Sequence, residues 1–325
     1  MLLAGDIGGT KTNLALYSPE LGLTPKAQTV FRSSDYPALE AVVARFLADT
    51  GAVVDRAVFG VAGPVVRGRI SVTNLPWVIS ETAMETALDL PAGSVHLLND
   101  LEATAHGALH LPATDLEPLN DIAPREGTKA VLAAGTGLGE AVMFYHEGRH
   151  YVIPSEGGHT DFGPTNSFEM DLLYYLMDKF GHVSYERVCS GIGLPNIYAY
   201  LKERSSGKES PEMAEVLHKA ADPTPIIVQK AMAGECDLCL AALNAFVSIL
   251  GAEAGNLGLK VMAIGGIYIG GGIPPRILPK LKEGSCMAAF VNKGRFAKML
   301  SQIPVVVILN REAALVGAAS YGLGL

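Results

Sequence analysis

AGDIGGTKTN, residues 4–13, decides the fold. A strand-like apolar run ends at Ile7, the pair Gly8 and Gly9 breaks it, and TNLALYSP, residues 12–19, resumes it with Thr12, Asn13 and Tyr17 before stopping at Pro19. The nearest familiar motif is the P-loop, but that pattern needs glycine directly before its lysine, and here Thr10 precedes Lys11. A P-loop also opens a helix, whereas this segment returns as a strand. The stretch therefore predicts a strand-turn-strand hairpin. Its glycines carry a second message: backbone N–H groups come close to a phosphate where no Cβ intervenes and positive φ is tolerated.

Two further glycine breaks follow apolar runs: LAAGTGLG at residues 132–139 and IGGIYIGGGIPP at residues 264–275. In the first of these, Gly135, Gly137 and Gly139 have the wrong spacing for a dinucleotide fingerprint. The AVMFY that follows, residues 141–145, is strand-like, so no helix dipole would face a pyrophosphate. Any one of the three breaks alone reads as an ordinary tight turn in a chain with 36 glycines. Together, in this order, they predict a nucleotide held by main chain from three sides.

At 325 residues, 49% hydrophobic and 18% charged, the chain can bury one large core or two smaller ones. Lysine plus arginine number 25 against 33 acidic residues, a net charge of -8 with no basic run, which argues against nucleic acid as a partner. ATP is still accessible to an acidic protein, because local amides, Lys11 and a divalent cation decide that contact while distant charges are screened. The cysteines are Cys189, Cys236, Cys239 and Cys286. Only Cys236 and Cys239 have metal-like spacing, and they lie in ECDLCLAALNAFVSILGAEAGNL, whose apolar residues recur at helical spacing. Core packing on a buried helix, with no structural zinc, is the expectation. Neither a signal peptide nor a membrane span is evident, and a cytoplasmic location follows.

Strands and helices alternate from Met1 to about His110, with helices around Leu39 to Ala48 and Ser80 to Leu88. A polar segment from Asp115 to Gly127 separates a second strand set, and a long, mainly helical region runs from Ser167 to about Gly258. The chain then returns to VMAIGGIYIGG, short helices, the strand PVVVIL and the helix REAALVGAASYG, which is expected to pack on the first domain. The predicted division is a small α/β domain of residues 1–110 plus 310–325, and a large α/β domain of residues 111–309 with the helical insertion. Both halves begin with a strand, a glycine turn and a strand.

Three polar stretches could hold a substrate. HLLNDLEATAHG places Asn99 and Asp100 directly after an apolar strand, where open α/β sheets bind ligands and where asparagine also caps a following helix. PSEGGHTDFGP adds Glu156 and His159 around paired glycines, and YERVCSGIGLPNIY adds Glu186 before another glycine turn. Taken alone, Glu186 reads as a solvated helix face and His159 as a structural histidine.

DIGGTKTN, TNLPW, LLNDLEATA, AAGTGLG, PSEGGHTDF, YERVCSGIGL and IGGGIPP occur in the order seen in bacterial glucokinases, and the chain resembles that family over nearly its whole length. The resemblance implies a two-domain actin-like ATPase (ribonuclease H-like) fold with an active-site cleft between the domains. It implies ATP-dependent phosphorylation of glucose at its 6-hydroxyl. By the same resemblance Asp100 is the catalytic base, and Asn99, Asp100, Glu156, His159 and Glu186 bind sugar hydroxyls. The hairpin residues Gly5, Asp6, Ile7, Gly8, Gly9, Thr10 and Lys11, with Gly135, Thr136 and Gly137, resemble the phosphate loops. Gly270, Gly271, Gly272 and Ile273 resemble the segment beside the adenosine. Magnesium (Mg2+) is expected with ATP, with Asp6 holding it through water, and a homodimer is implied.

Physical chemistry supports the same set. A hexose is a ring of neutral hydroxyls, best gripped by carboxylates and amides whose charge-assisted hydrogen bonds contribute about 1.5 to 3 kcal/mol each. The phosphoryl transition state keeps its charge on peripheral oxygens, so catalysis rests on positioning, and an aspartate that aligns the hydroxyl need not be a strong base. A kinase for mannose or an N-acetylhexosamine, a sugar-sensing protein on the same scaffold and an actin-like ATPase without a sugar are the alternatives, and sugar-dependent ADP release separates them.

Overall fold

β1 (Leu2–Ile7) and β2 (Lys11–Tyr17) form the antiparallel hairpin that the opening decapeptide predicts, closed by the Gly8 N–H donating to the Lys11 carbonyl at 2.9 Å. This computed structural model describes residues 1–72, 75–204 and 209–325, so Thr73 and Asn74 of TNLPW lie outside the described residues. The chain divides into two units, the first comprising Met1–Asp115, Val152–Pro154 and Asn310–Leu325, the second Leu116–Tyr151 and Ser155–Leu309.

In the first unit β3 (Ala27–Arg32) lies antiparallel to β2. After α1 (Leu39–Thr50), β4 (Arg56–Val61) runs parallel to β1. A small ribbon of β5 (Arg69–Ser71) and β6 (Val78–Ser80) leads to α2 (Glu81–Leu88), and then β7 (Val95–Asn99), parallel to β4, delivers the chain into α3 (Asp100–Ala108). The sheet order is β3-β2-β1-β4-β7. Alternation along the strands sorts its two faces. Leu3, Ile7, Leu14 and Leu16 join one core with Phe46 and Phe59, while Leu2, Ala4, Ala15 and Tyr17 join another with Ala103, Leu315 and Ala318. By that period Asp6 and Asn13 continue the second row, toward α3 and the C-terminal helix Ala313–Leu323. That helix does pack on the first unit. A Cβ on Gly317 would lie 1.7 Å from the Ala103 carbonyl oxygen and one on Gly107 2.0 Å from that of Ala313, so only two bare backbones permit this crossing.

The second unit repeats the plan. β9 (Lys129–Ala134) and β10 (Leu138–His146) form an antiparallel hairpin across Gly135–Gly137, preceded by the short β8 (Leu116–Pro118) and followed by β11 (Arg149–Ser155). Among the described residues, the α-helices α4 (Ser167–Phe180), α5 (Gly193–Arg204), α6 (Pro211–Lys219), α7 (Thr224–Met232) and α8 (Asp237–Lys260) then run in series. β12 (Gly266–Gly270) and β13 (Val305–Ile308) complete a sheet of order β11-β10-β9-β12-β13-β8, in which β12 is parallel to both β9 and β13. Short helices between them include α9 (Leu278–Leu281), α10 (Ser285–Val291) and α11 (Ala297–Leu300).

Two expectations need correction. The polar separator contains β8, which pairs antiparallel with β13 as the sheet's edge. Cys236 is the N-cap of α8, its Sγ accepting the Cys239 N–H at 3.2 Å, so only Cys239 of that pair is a fully buried helical residue. α8 is also long and apolar enough to cross a membrane, yet 72% of its most apolar window is buried, with Phe246, Ile249 and Leu250 in the unit's core.

Candidate active site

In each unit the glycine turns and polar side chains collect at the carboxyl ends of the parallel strands, where exposed backbone and converging loops favour ligands. In the first unit the ends of β1, β4 and β7 carry Gly8–Thr10, Gly63 and Asn99–Asp100 respectively. The hairpin turn is held from the side: Ser33 Oγ donates to the Gly8 carbonyl at 2.9 Å and lies 3.1 Å from Thr12 Oγ1. Of the predicted phosphate-loop residues, Gly5 and Ile7 sit inside β1, buried. A Cβ on Gly5 would lie 2.7 Å from Phe59 and 2.9 Å from Leu14, so this glycine also has a packing reason. Lys11 opens β2 with its side chain exposed.

Asn99 caps α3 and closes a capping box with Glu102. Its Oδ1 accepts the Leu101 N–H at 2.9 Å and its Nδ2 donates to the Gly63 carbonyl at 2.9 Å, which leaves at most one amide proton for a ligand. The cap fixes the first turn of α3, where Asp100 Oδ1 accepts the Leu101 N–H at 3.0 Å. Asp6 lies within the field of Asp100. Burial first, then Asp100, then Glu312 push Asp6 up to about 6. Glu312, just before the C-terminal helix, accepts from Gln28 Nε2 at 2.6 Å and from Asn13 Nδ2 at 3.4 Å. Three carboxylates thus share one end of the unit, an arrangement that a divalent cation would relieve. Among the described residues no three acidic, histidine or cysteine side chains converge closely enough to hold an ion directly. The arrangement fits magnesium that keeps most of its water.

In the second unit two motifs dock on one another. The Gly191 N–H donates to the Gly135 carbonyl at 2.8 Å and the Ile192 N–H to that of Thr136 at 3.2 Å, so SGIG clamps the glycine turn. Glu186 lies beneath it: Oε2 accepts the Leu138 N–H at 3.1 Å, and a Cβ on Gly137 would meet that oxygen at 2.4 Å. His159 lies between two carboxylates, Nδ1 4.0 Å from Glu186 Oε1 and Nε2 3.9 Å from Glu156 Oε2. Glu156 and His159 are exposed while the Glu186 side chain is 18% exposed, so the trio runs from solvent to a half-buried floor. Beside the turn, Gly271 has φ +93°, and a Cβ there would strike the Ala134 carbonyl at 2.3 Å. The Ile273 N–H donates to that same carbonyl at 3.2 Å, which places Gly270–Ile273 against the end of β9.

The residues singled out from sequence therefore gather in two sets, one per unit. Sequence reasoning passed over Glu312, Ser33, Gly63 and Glu140. Glu140 had a readable signal, since LGEAVM on β10 sets a lone carboxyl inside an otherwise apolar strand run. Glu312 had only its place before an apolar helix.

A family model described as Glucokinase matches residues 3–323. The glucokinase of Nostoc punctiforme is 39% identical over 98% of this chain and 98% of its own length, and that of Yersinia enterocolitica 35% over 98% and 95%. A glucokinase crystal structure from an Antarctic psychrotroph superposes with a TM-score of 0.86 at 29% identity, covering 100% of this chain and 99% of that one. The fold is that of the sugar-kinase branch of the actin-like ATPases. On a family model spanning nearly every residue and relatives matched end to end, the chain belongs to the glucokinase family.

Proposed function

We propose that the protein transfers the terminal phosphoryl group of ATP to the 6-hydroxyl of glucose, giving glucose 6-phosphate and ADP. The observation that carries this reading is the placement of Asp100 in the first turn of α3, within the field of Asp6 on the strand that feeds the glycine hairpin. Asp100 orients the primary hydroxyl and accepts its proton as the new bond to phosphorus develops. Glu156, His159 and Glu186 grip the sugar hydroxyls, with the remaining Asn99 amide proton as a further donor. The Gly8–Thr10 and Gly135–Gly137 turns supply the Gly9, Thr10, Thr136 and Gly137 amides to phosphates, the Gly8 and Gly135 N–H groups being spent on closing the turns, and Lys11 offsets the phosphate charge. Gly270–Ile273 borders the adenosine. When bound, magnesium would neutralise charge on the phosphate oxygens, and Asp6 would hold it through water. Water is the competing nucleophile, and alignment of the sugar hydroxyl is what favours sugar over water. A homodimer in the cytoplasm belongs to the same reading.

A panel of hexoses with magnesium-ATP, reading both sugar phosphate and ADP, tests the proposal. Glucose should give stoichiometric product, with mannose and N-acetylhexosamines slower. ADP release independent of any sugar would overturn it. Asp100→Asn should lower kcat by about 10²–10⁴-fold, the usual span for a lost general base, with glucose KM changed less than fivefold by the same argument. Near-normal turnover would remove Asp100 from the base role.

A further inference from the structure

We infer that Glu140 is a positioning residue for the sugar site: its carboxyl, sharing a proton with Glu253, supports the Gly157–His159 turn from beneath, so that glucose affinity depends on that proton. The inference rests on the assignment of Glu156, His159 and Glu186 to the sugar.

Glu140 lies on the inward face of β10, two residues after core residue Leu138, and is 2% exposed. Its Oε2 stands 2.0 Å from where a Cβ on Gly157 would be, so the main chain of the EGGH turn rests directly on this carboxyl. Its Oε1 is buried and meets no N–H or O–H donor among the described residues. An ionised carboxylate left so would carry a large desolvation cost, whereas a protonated one needs only an acceptor. Glu253 on α8, 0% exposed, supplies it. Glu253 is in turn satisfied as an anion by Lys260 Nζ at 3.0 Å and Asn256 Nδ2 at 2.7 Å. Two carboxyls, one ammonium and one retained proton leave no net charge.

Burial first, then Glu253, raise Glu140 to about 8, and Lys260 opposes them. The other titratable groups facing the pair are Tyr185 and Cys189, from one turn, and Lys293, from the segment after α10. Tyr185 Oη accepts from Asn256 Nδ2 at 2.8 Å and directly precedes Glu186 in the chain, so the cluster also touches the support of the deeper sugar carboxylate. Loss of the shared proton to solvent would set two like charges together under the turn.

The test is KM for glucose, KM for ATP and kcat between pH 7 and 9 for wild type, Glu140→Gln and Lys260→Met, with amide exchange over residues 155–163. Glutamine keeps the shape and a donor but cannot titrate. Wild-type glucose KM should rise about tenfold from pH 7 to 9, as one proton with a pKa near 8 requires. ATP KM should change little, and exchange over the turn should quicken beyond its intrinsic pH dependence. Glu140→Gln should keep the neutral-pH values and lose the alkaline rise. Lys260→Met should move that rise to higher pH. An unchanged rise in Glu140→Gln, or pH-independent protection of the turn in wild type, overturns the inference. PH-dependent exchange with a flat glucose KM would instead overturn the sugar assignment on which it rests.

Discussion

Asp6 carries a raised proton affinity at the place proposed for the metal, so one side chain can test both. Its folded value of about 6 lies above the ordinary value near 4, so the stabilisation tied to its proton is complete below pH 4 and is lost as the pH rises to 6. Above that range Asp6 is an anion beside Asp100 and Glu312. Magnesium with ATP should therefore raise the thermal midpoint more at pH 7 than at pH 5, and Asp6→Asn should abolish the difference. An equal response at both pH values would remove Asp6 from the metal's neighbourhood. Gly137 carries a different lesson. A phosphate-loop role for Gly137 by itself predicts that Gly137→Val weakens ATP binding, through lost approach to a phosphate. The 2.4 Å between its would-be Cβ and Glu186 Oε2 adds the sugar if Glu186 holds it as proposed. Both KM values should rise, glucose by at least as much as ATP; a rise confined to ATP would show that Glu186 gives way at no cost.

Among elements, the crossing of α3 with the C-terminal helix sets the place of Asp100. Those helices meet at Gly107 and Gly317 with backbone against backbone, and a methyl group at residue 317 must displace one of them. Gly317→Ala should cost about 1–3 kcal/mol of stability, the range for overpacking a tight site. It should also lower kcat more than it raises glucose KM, because Asp100, the proposed base, moves with its helix. Urea unfolding and steady-state kinetics check both parts, and an unchanged urea midpoint would show that the crossing is loose. The elements themselves were largely legible. The β1-β2 and β9-β10 hairpins, the capped helix after Asn99 and the apolar α8 each declare themselves through local alternation, a breaker or a cap. β8 did not, because three residues ending in Pro118 become a strand only through β13, nearly 190 positions away in the sequence. The same limit hid Glu312, whose meaning comes from Asn13 and Gln28 on distant strands. Glu140 was within reach, since a lone charged residue inside an apolar strand run is a visible break of pattern.

For the molecule as a whole, the two units share a strand order in which a three-stranded antiparallel run is continued by parallel strands on the side of its first member. Each has its own buried core: Phe46, Phe59 and Trp77 in one, Phe246, Leu250 and Phe290 in the other. Calorimetry of the ligand-free protein should then resolve more than one transition, and Gly317→Ala should lower only the one belonging to the first unit. A single transition shifted as a whole would show that the cores melt together. The clamp of the Gly191 and Ile192 amides on Gly135 and Thr136, with Glu186 pinned to Leu138 below, has an evolutionary corollary. With the roles proposed above, Glu186 cannot be retuned for a new hexose without disturbing the turn assigned to the donor. Diversification of taste among paralogues should accordingly be written at Glu156 and His159, the solvent-facing half of the grip, while the floor stays frozen.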